Sequence, residues 1–189
     1  EAYYWKYAKH LAWSYLDHPP LVAYTIALTT AIGGDSPFFI RLGGSLYLLG
    51  VGVLMVDLMH RILRQHYCLS LLAHRRMLWV TLLGCQCPTL FFLVGSFMSP
   101  DCPLLFFCTL ALYALGRYTL EDNLRWWLLV GFALGAAMLS KYTGIFIAIG
   151  TVLFLLLSPR HRNAFKCKEP WLGIVLALVV FSPVLIWNA

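Results

Sequence analysis

Six stretches of the chain, near 38–59, 77–97, 103–120, 126–140, 144–158 and 171–187, are apolar with few interruptions. A helix needs about 20 mainly apolar residues to cross a bilayer, so each stretch is a candidate transmembrane span. The fourth and fifth are short and are joined by "SKYTG", a spacing that predicts a tight helical hairpin. The polar residues gather in the short connections between the runs. No internal repeat or low-complexity tract interrupts this order.

The first 37 residues follow a different pattern. In "EAYYWKYAKHLAWSYLDHPP", Tyr4, Ala8, Leu11 and Tyr15 recur at helical spacing, while Lys6, Lys9, His10 and Asp17 fall opposite. Tyr and Trp with a basic polar face suit the headgroup region, so one helix lying in the interface is predicted here. Glu1 falls on the Tyr4–Trp5–Ala8 side and is expected to point toward the bundle. Pro19 biases His18 out of the helical region and ends this element, and Pro20 suits the first turn of the next. "LVAYTIALTTAI" is apolar but too short to span. It predicts a second juxtamembrane or re-entrant helix, stopped by Gly33-Gly34, with Ser36 capping the first true span. The organisation expected is therefore a segment 1–37 outside the membrane core, followed by a bundle over 38–189.

Composition fixes the solvent. Hydrophobic residues make up 61% of the 189 and charged residues only 12%, against about half and a quarter in soluble domains. That leaves too few charges to cover a water-facing surface, and the fold class is all-α integral membrane, a polytopic helical bundle. Ten of the 14 basic residues lie in the connections after the first, third and fifth spans: Arg61, Arg64, Arg75, Arg76, Arg117, Arg125, Arg160, Arg162, Lys166 and Lys168. Cytoplasmic loops retain Lys and Arg, and these three connections share one side if the chain crosses at every run. With Asp57, Glu121, Asp122 and Glu169 beside them, they carry the whole net charge of +6. The charge thus records insertion topology and gives no sign of a nucleic-acid partner. Residues 1–37, Asp101 and Lys141 are left on the extracytoplasmic side.

The six cysteines show neither a CxxC pair nor Cys/His metal spacing and read as small buried hydrophobes. The chain opens on Glu instead of Met, without a signal-peptide pattern, and its last apolar run stops at "PVLIWNA". It reads as a piece of a longer protein.

The candidate chemistry lies on the extracytoplasmic side. "SYLDHPPLVAY" sets Asp17 and His18 at a proline corner, which by itself requires neither an acid nor an imidazole. Asp101 in "SFMSPDCPLLFF" also fits a helix N-cap, and Lys141 and Arg41 also fit cations snorkelling to water. Together they place acids and cations at one membrane depth, the kind of membrane-embedded charge that marks a functional site.

The stretches "EAYYWKYAKHLAWSYLDHPPLVAY", "SPDCPLLFF" and "GAAMLSKYTGIF" resemble bacterial glycosyltransferase family 39, the membrane-embedded group that contains protein O-mannosyltransferases and the aminoarabinose transferase of lipid A. The resemblance runs in order along the whole chain and matches the front half of the family without its first helix. It implies a bundle of the GT-C type with extracytoplasmic juxtamembrane helices, held in the bacterial inner membrane with its active site on the periplasmic side. It further implies a polyprenyl-phosphate-linked sugar donor and a lipid A, protein hydroxyl or cell-envelope glycan acceptor. The family's first outer loop carries an Asp-Glu pair, of which Glu1 resembles the second member.

On this resemblance Glu1 and Asp101 are the candidate catalytic carboxylates. Lys141, Arg41 and Lys6 are the candidate donor-phosphate ligands, and Asp17 and His18 shape the sugar pocket. The roles suit the residue types, since a carboxylate can take the proton of an attacking hydroxyl and a cation can meet the charge of a departing phosphate. A divalent metal ion is compatible with the family but not required by these residues. A transporter or a non-catalytic membrane subunit is the competing class. Transporters place charge near the bilayer midplane on broken helices, whereas here the span centres are nearly free of charge.

Overall fold

The computed structural model describes residues 1–86 and 96–189, and all regular structure among them is helical. Helix α1 (Ala2–Lys9) leads into α2 (Leu21–Gly33), the long α3 (Pro37–His66) and α4 (Leu71–Gln86). After residues 87–95 come α5 (Asp101–Glu121), α6 (Trp126–Ser140), α7 (Ile145–Leu157, entered through the 3-10 turn Tyr142–Gly144) and α8 (Lys168–Trp187). Helices α3, α5 and α8 are each long and apolar enough to cross a membrane, while α2, α6 and α7 are shorter apolar helices. The run 77–97 falls partly in α4, and its remainder from 87 to 95 lies outside the described residues.

Local chemistry sets several boundaries. Gly34 takes φ +79, a backbone region that favours glycine, and turns the chain out of α2. Ser36 then accepts a bond from the Phe39 amide and Pro37 occupies the first turn of α3. The expected cap at Asp101 is replaced by another arrangement. Pro100 precedes the helix and Asp101 is its first residue, with no side-chain cap bond.

The single interfacial helix expected over residues 1–20 stops at Lys9. Residues 10–20 instead fold into a compact corner around Tyr15, whose buried ring stacks on Tyr7 at 4.0 Å. The Tyr15 hydroxyl is directed at the carbonyls of Tyr7 and His10 and accepts the Ala12 amide, and the Tyr24 hydroxyl donates to the Ala12 carbonyl. These bonds satisfy backbone groups that ending a helix leaves open, so the corner competes with continued helix despite the helical spacing of its apolar residues.

The most extensive helix pairing is α6 on α8, followed by α6 on α5. Gly131 and Gly135 of α6 face Gly173 and Ala177 of α8; a Cβ at Gly135 would lie 2.6 Å from the Ala177 carbonyl oxygen. Small residues at four-residue spacing let two membrane helices meet backbone to backbone. Outward-facing Leu46, Leu49, Val53, Leu172, Val175 and Val179 are exposed, as fits a bundle whose solvent is lipid.

Charge divides between the two ends of the bundle. Helix α3 carries Arg41 at one end and Asp57 and Arg61 near the other, while α5 runs from Asp101 to Glu121. The loops rich in Arg and Lys meet at the second end, where Gln65 bonds the Leu120 carbonyl at 3.2 Å and Arg160 pairs with Asp122 at 2.9 Å.

Candidate active site

A small apolar core holds the first end together. Val22 and Ile26 of α2, Met98 just before α5, Cys102 in its first turn, and Ala8 of α1 are buried in one cluster, with Tyr4, Trp5, Ile40 and Tyr47 packed around it. Tyr47 of α3 is tied to Thr25 of α2 by a 2.9 Å hydroxyl contact. Because α1 lies over this core, its first residue is delivered to the mouth of α3. Arg41 clasps Glu1 through a fork, with Nε at 3.0 and 3.1 Å from the two carboxylate oxygens and Nη2 at 2.8 Å. The Met98 amide donates to the same carboxylate at 3.3 Å. The Arg41 guanidinium, helped by that amide and opposed by partial burial, holds the Glu1 carboxyl below its ordinary range. Glu1 is therefore a weak base and a firm anchor for Arg41.

The second pair is Asp101 with Lys141, the ammonium 2.8 Å from the carboxylate. Lys141 sits at the C-terminal cap of α6 and Asp101 opens α5, so the pair joins the two helices across the same end of the bundle. Both side chains remain partly exposed, at 33% and 48%. Lys141 and Arg41, which also fit snorkelling cations, each have a carboxylate partner. Tyr4 lies within electrostatic reach of this second pair. Burial first, then the Asp101 charge, pushes its hydroxyl up from the ordinary tyrosine value. The Tyr4 ring is 5.7 Å from the His18 imidazole.

The remaining sequence candidates are more peripheral. Asp17 is exposed and accepts a hydrogen bond from Tyr3, which itself meets Tyr7. His18 is half-buried, and its carbonyl accepts the Tyr15 amide at 3.3 Å within the corner. Lys6 is exposed and makes no side-chain hydrogen bond or ion pair among the described residues.

Four groups were missed by sequence reasoning: Tyr4, Trp5, Asp35 and the Met98 amide. Asp35 accepts from the Trp5 indole at 3.1 Å and from Lys9 at 2.5 Å. Those donors hold its carboxyl below the ordinary range, the Lys9 ammonium first. The signal for Asp35 was present as an acid in the "GGDSP" turn on the same side as Glu1; Tyr4 and Trp5 were legible only as the apolar face of the first helix, and nothing in the sequence marked a backbone amide. Among the described residues no three His, Cys, Asp or Glu side chains converge, so no donor set for a divalent ion is assigned here.

The opposite end carries its own network. Arg117, only 12% exposed, lies 4.3 Å from the Trp126 ring centroid and pairs with Glu121 at 2.6 Å and Asp57 at 3.7 Å, while Arg61 bonds Asp57 at 2.7 Å. Two acids and two guanidinium groups pair there and clamp α3 to α5.

Residues 17–187 match the family model of dolichyl-phosphate-mannose-protein mannosyltransferases. The chain belongs to that family. All 189 residues also align at 30% identity with the lipid A galacturonosyltransferase RgtD of Rhizobium johnstonii, covering 37% of that protein's length. The chain thus spans about a third of the curated relative it matches. No solved structure matches it. The family match and the all-helical membrane bundle agree with the glycosyltransferase resemblance of the sequence and its GT-C architecture. The three long apolar helices support a membrane setting. In this family member, the two carboxylate–cation pairs come from four separate segments and lie at the same end of the bundle.

Proposed function

We propose that the full-length protein is a membrane glycosyltransferase that moves a sugar from a polyprenyl-phosphate donor to an extracytoplasmic acceptor, and that the reaction takes place at the bundle end carrying Glu1, Arg41, Asp101 and Lys141. The observation that carries this reading is the placement of the Glu1–Arg41 and Asp101–Lys141 pairs at the same end of the bundle in a chain of this family. The gathering of ten basic residues at the other end supports an extracytoplasmic placement, because Lys and Arg are retained inside.

The reaction forms a bond from an acceptor oxygen to the anomeric carbon and breaks the bond from that carbon to the donor phosphate, whose oxygen keeps the electron pair. Lys141 and Arg41 are the cations that meet the developing phosphate charge. Asp101 is the more exposed carboxylate and the one that receives the acceptor's proton when the acceptor is a hydroxyl. Glu1 acts through Arg41 by fixing the orientation of its fork. Lys6 supplies a further surface cation for the lipid phosphate, and Asp17 and His18 form the outer rim of the sugar site. An acceptor of the lipid A kind follows from the relative's name, with a protein hydroxyl or an envelope glycan as the other members of the class.

The test is transfer of radiolabelled sugar from undecaprenyl-phosphate donors in inner membranes containing the full-length protein. Asp101→Asn and Lys141→Ala are each expected to lower turnover by at least tenfold, in the range of general-base and electrostatic effects. Near-wild-type turnover by a properly inserted variant would remove that residue from the site.

A further inference from the structure

Beside the Glu1–Arg41 pair lies a cavity of about 320 Å³, bounded by α1, the α2–α3 turn and the first turn of α3. Trp5, Asp35, Ile40, Arg41 and Glu1 are among its walls. The volume stands at the small end of ligand sites, which run from about 300 to 1,000 Å³, so it suits one ring and a few waters better than a disaccharide. Its walls combine an indole, two carboxylates and a guanidinium. That mixture suits a ligand with an apolar face and several hydroxyls, because ionised groups make the stronger hydrogen bonds. Asp35 is held in place from one side by Lys9 at 2.5 Å and the Trp5 indole at 3.1 Å, and Lys9 is not part of the cavity wall. Lys9 thus orients the carboxylate from outside the cavity and need not move when a ligand enters.

From this geometry we infer that the cavity is a pyranose subsite, with Trp5 as the apolar wall against the sugar ring and Asp35 as a hydroxyl acceptor that sets its orientation. The inference rests on the glycosyltransferase reading and adds to it the two residues that read the sugar. The ring belongs either to the donor or to a sugar acceptor, and the same side-chain chemistry serves both.

The experiment compares full-length wild-type protein in nanodiscs with Trp5→Ala, Trp5→Phe, Asp35→Asn and Lys9→Met. Affinity is measured for undecaprenyl phosphate alone and for the same lipid carrying mannose or galacturonic acid; the difference isolates the sugar from the phosphate. For a donor subsite, wild type binds at least one glycosylated lipid more tightly than the bare lipid. Asp35→Asn loses about tenfold of that preference, the size of one charge-assisted hydrogen bond, and Trp5→Ala loses a similar factor by removing the apolar wall. Trp5→Phe retains part of it, and Lys9→Met, which cuts the support and leaves the walls, retains most. For an acceptor subsite the lipid preference stays constant, and the same two variants raise KM for lipid A without lowering kcat to match.

The subsite is overturned if neither quantity moves in Asp35→Asn and Trp5→Ala. It is also overturned if Lys9→Met matches them, because the three residues then act only as a strap holding α1 to the α2–α3 turn. Failure of the wild type to bind any undecaprenyl phosphate lipid is a different result, which sinks the donor reading itself.

Discussion

Gly131 of α6 meets Gly173 of α8 so closely that a methyl group at Gly131 would overlap the Gly173 backbone, and a Cβ at Gly173 would lie 2.6 Å from the Trp127 carbonyl oxygen. The obstructing atoms are main chain, so a side-chain rotation cannot relieve the overlap and the two helices must separate. Overpacking of this kind costs about 1–3 kcal/mol, and a backbone obstacle places it in the upper half of that range. Any Gly→Ala change in a helix also gains about 1 kcal/mol of propensity, which would mask part of the loss. Gly150 in α7 supplies the control, since among the described residues nothing lies within 4 Å of a Cβ added there. Both variants share the propensity gain, so their difference isolates the packing cost. Gly131→Ala is expected to be about 2–3 kcal/mol less stable than Gly150→Ala, read by reversible unfolding of the full-length protein in bicelles. Because α6 ends at Lys141, separation from α8 also disturbs the 2.8 Å contact with Asp101, and sugar transfer should fall with stability. Equal stability of the two variants would refute close backbone packing of α6 on α8.

The charged groups at the two ends make separate predictions. Arg41 lowers the Glu1 carboxyl, so the ion pair contributes fully above the ordinary glutamate value and is lost as pH falls through the lower folded value. Arg41→Gln returns the Glu1 carboxyl toward its ordinary value, so the loss of thermal stability relative to wild type should be present at neutral pH and vanish as pH falls below the glutamate range, and it should be small because the pair is partly exposed. A stability difference that persists unchanged at low pH would show that the charge of the pair does not support the fold. At the opposite end, Arg117→Met removes the half-shielded guanidinium from Asp57, Glu121 and Trp126 and is expected to cost about 2–3 kcal/mol. Arg160→Met breaks a pair whose side chains are 68% and 65% exposed and should cost less than about 1 kcal/mol. Denaturant titration of both variants checks the contrast. Tyr47→Phe removes the hydroxyl that meets Thr25, at a cost of about 1 kcal/mol, and thermal unfolding reads the shift.

What the chain is made of determined its class without any coordinates. A composition this poor in charge cannot cover a water-facing surface, and apolar runs of span length can satisfy their backbone in lipid only as helices. The turn chemistry was equally local: Gly33-Gly34, Ser36 before Pro37, and the "SKYTG" connection each act on the backbone of their own neighbours. The division of basic residues among alternate connections also needs no tertiary contact, because it is read from position along the chain alone. The motif stretches carried the family resemblance for the same reason, since they are contiguous in sequence.

Only the tertiary structure decided which charges meet. Glu1 and Arg41 are 40 residues apart, as are Asp101 and Lys141, and hydropathy is indifferent to such pairings. The packing of α1 over Val22, Ile26 and Met98 brings the first pair together, while the approach of α6 to α5 brings the second. The same packing ended α1 at Lys9, where tyrosine hydroxyls offered the backbone partners that a longer helix would have supplied. Asp35 and Trp5 became neighbours through the left-handed turn at Gly34, which folds the α2–α3 connection back against α1. Periodicity placed these residues on faces and sides; the distances that give them chemistry came from how the helices pack.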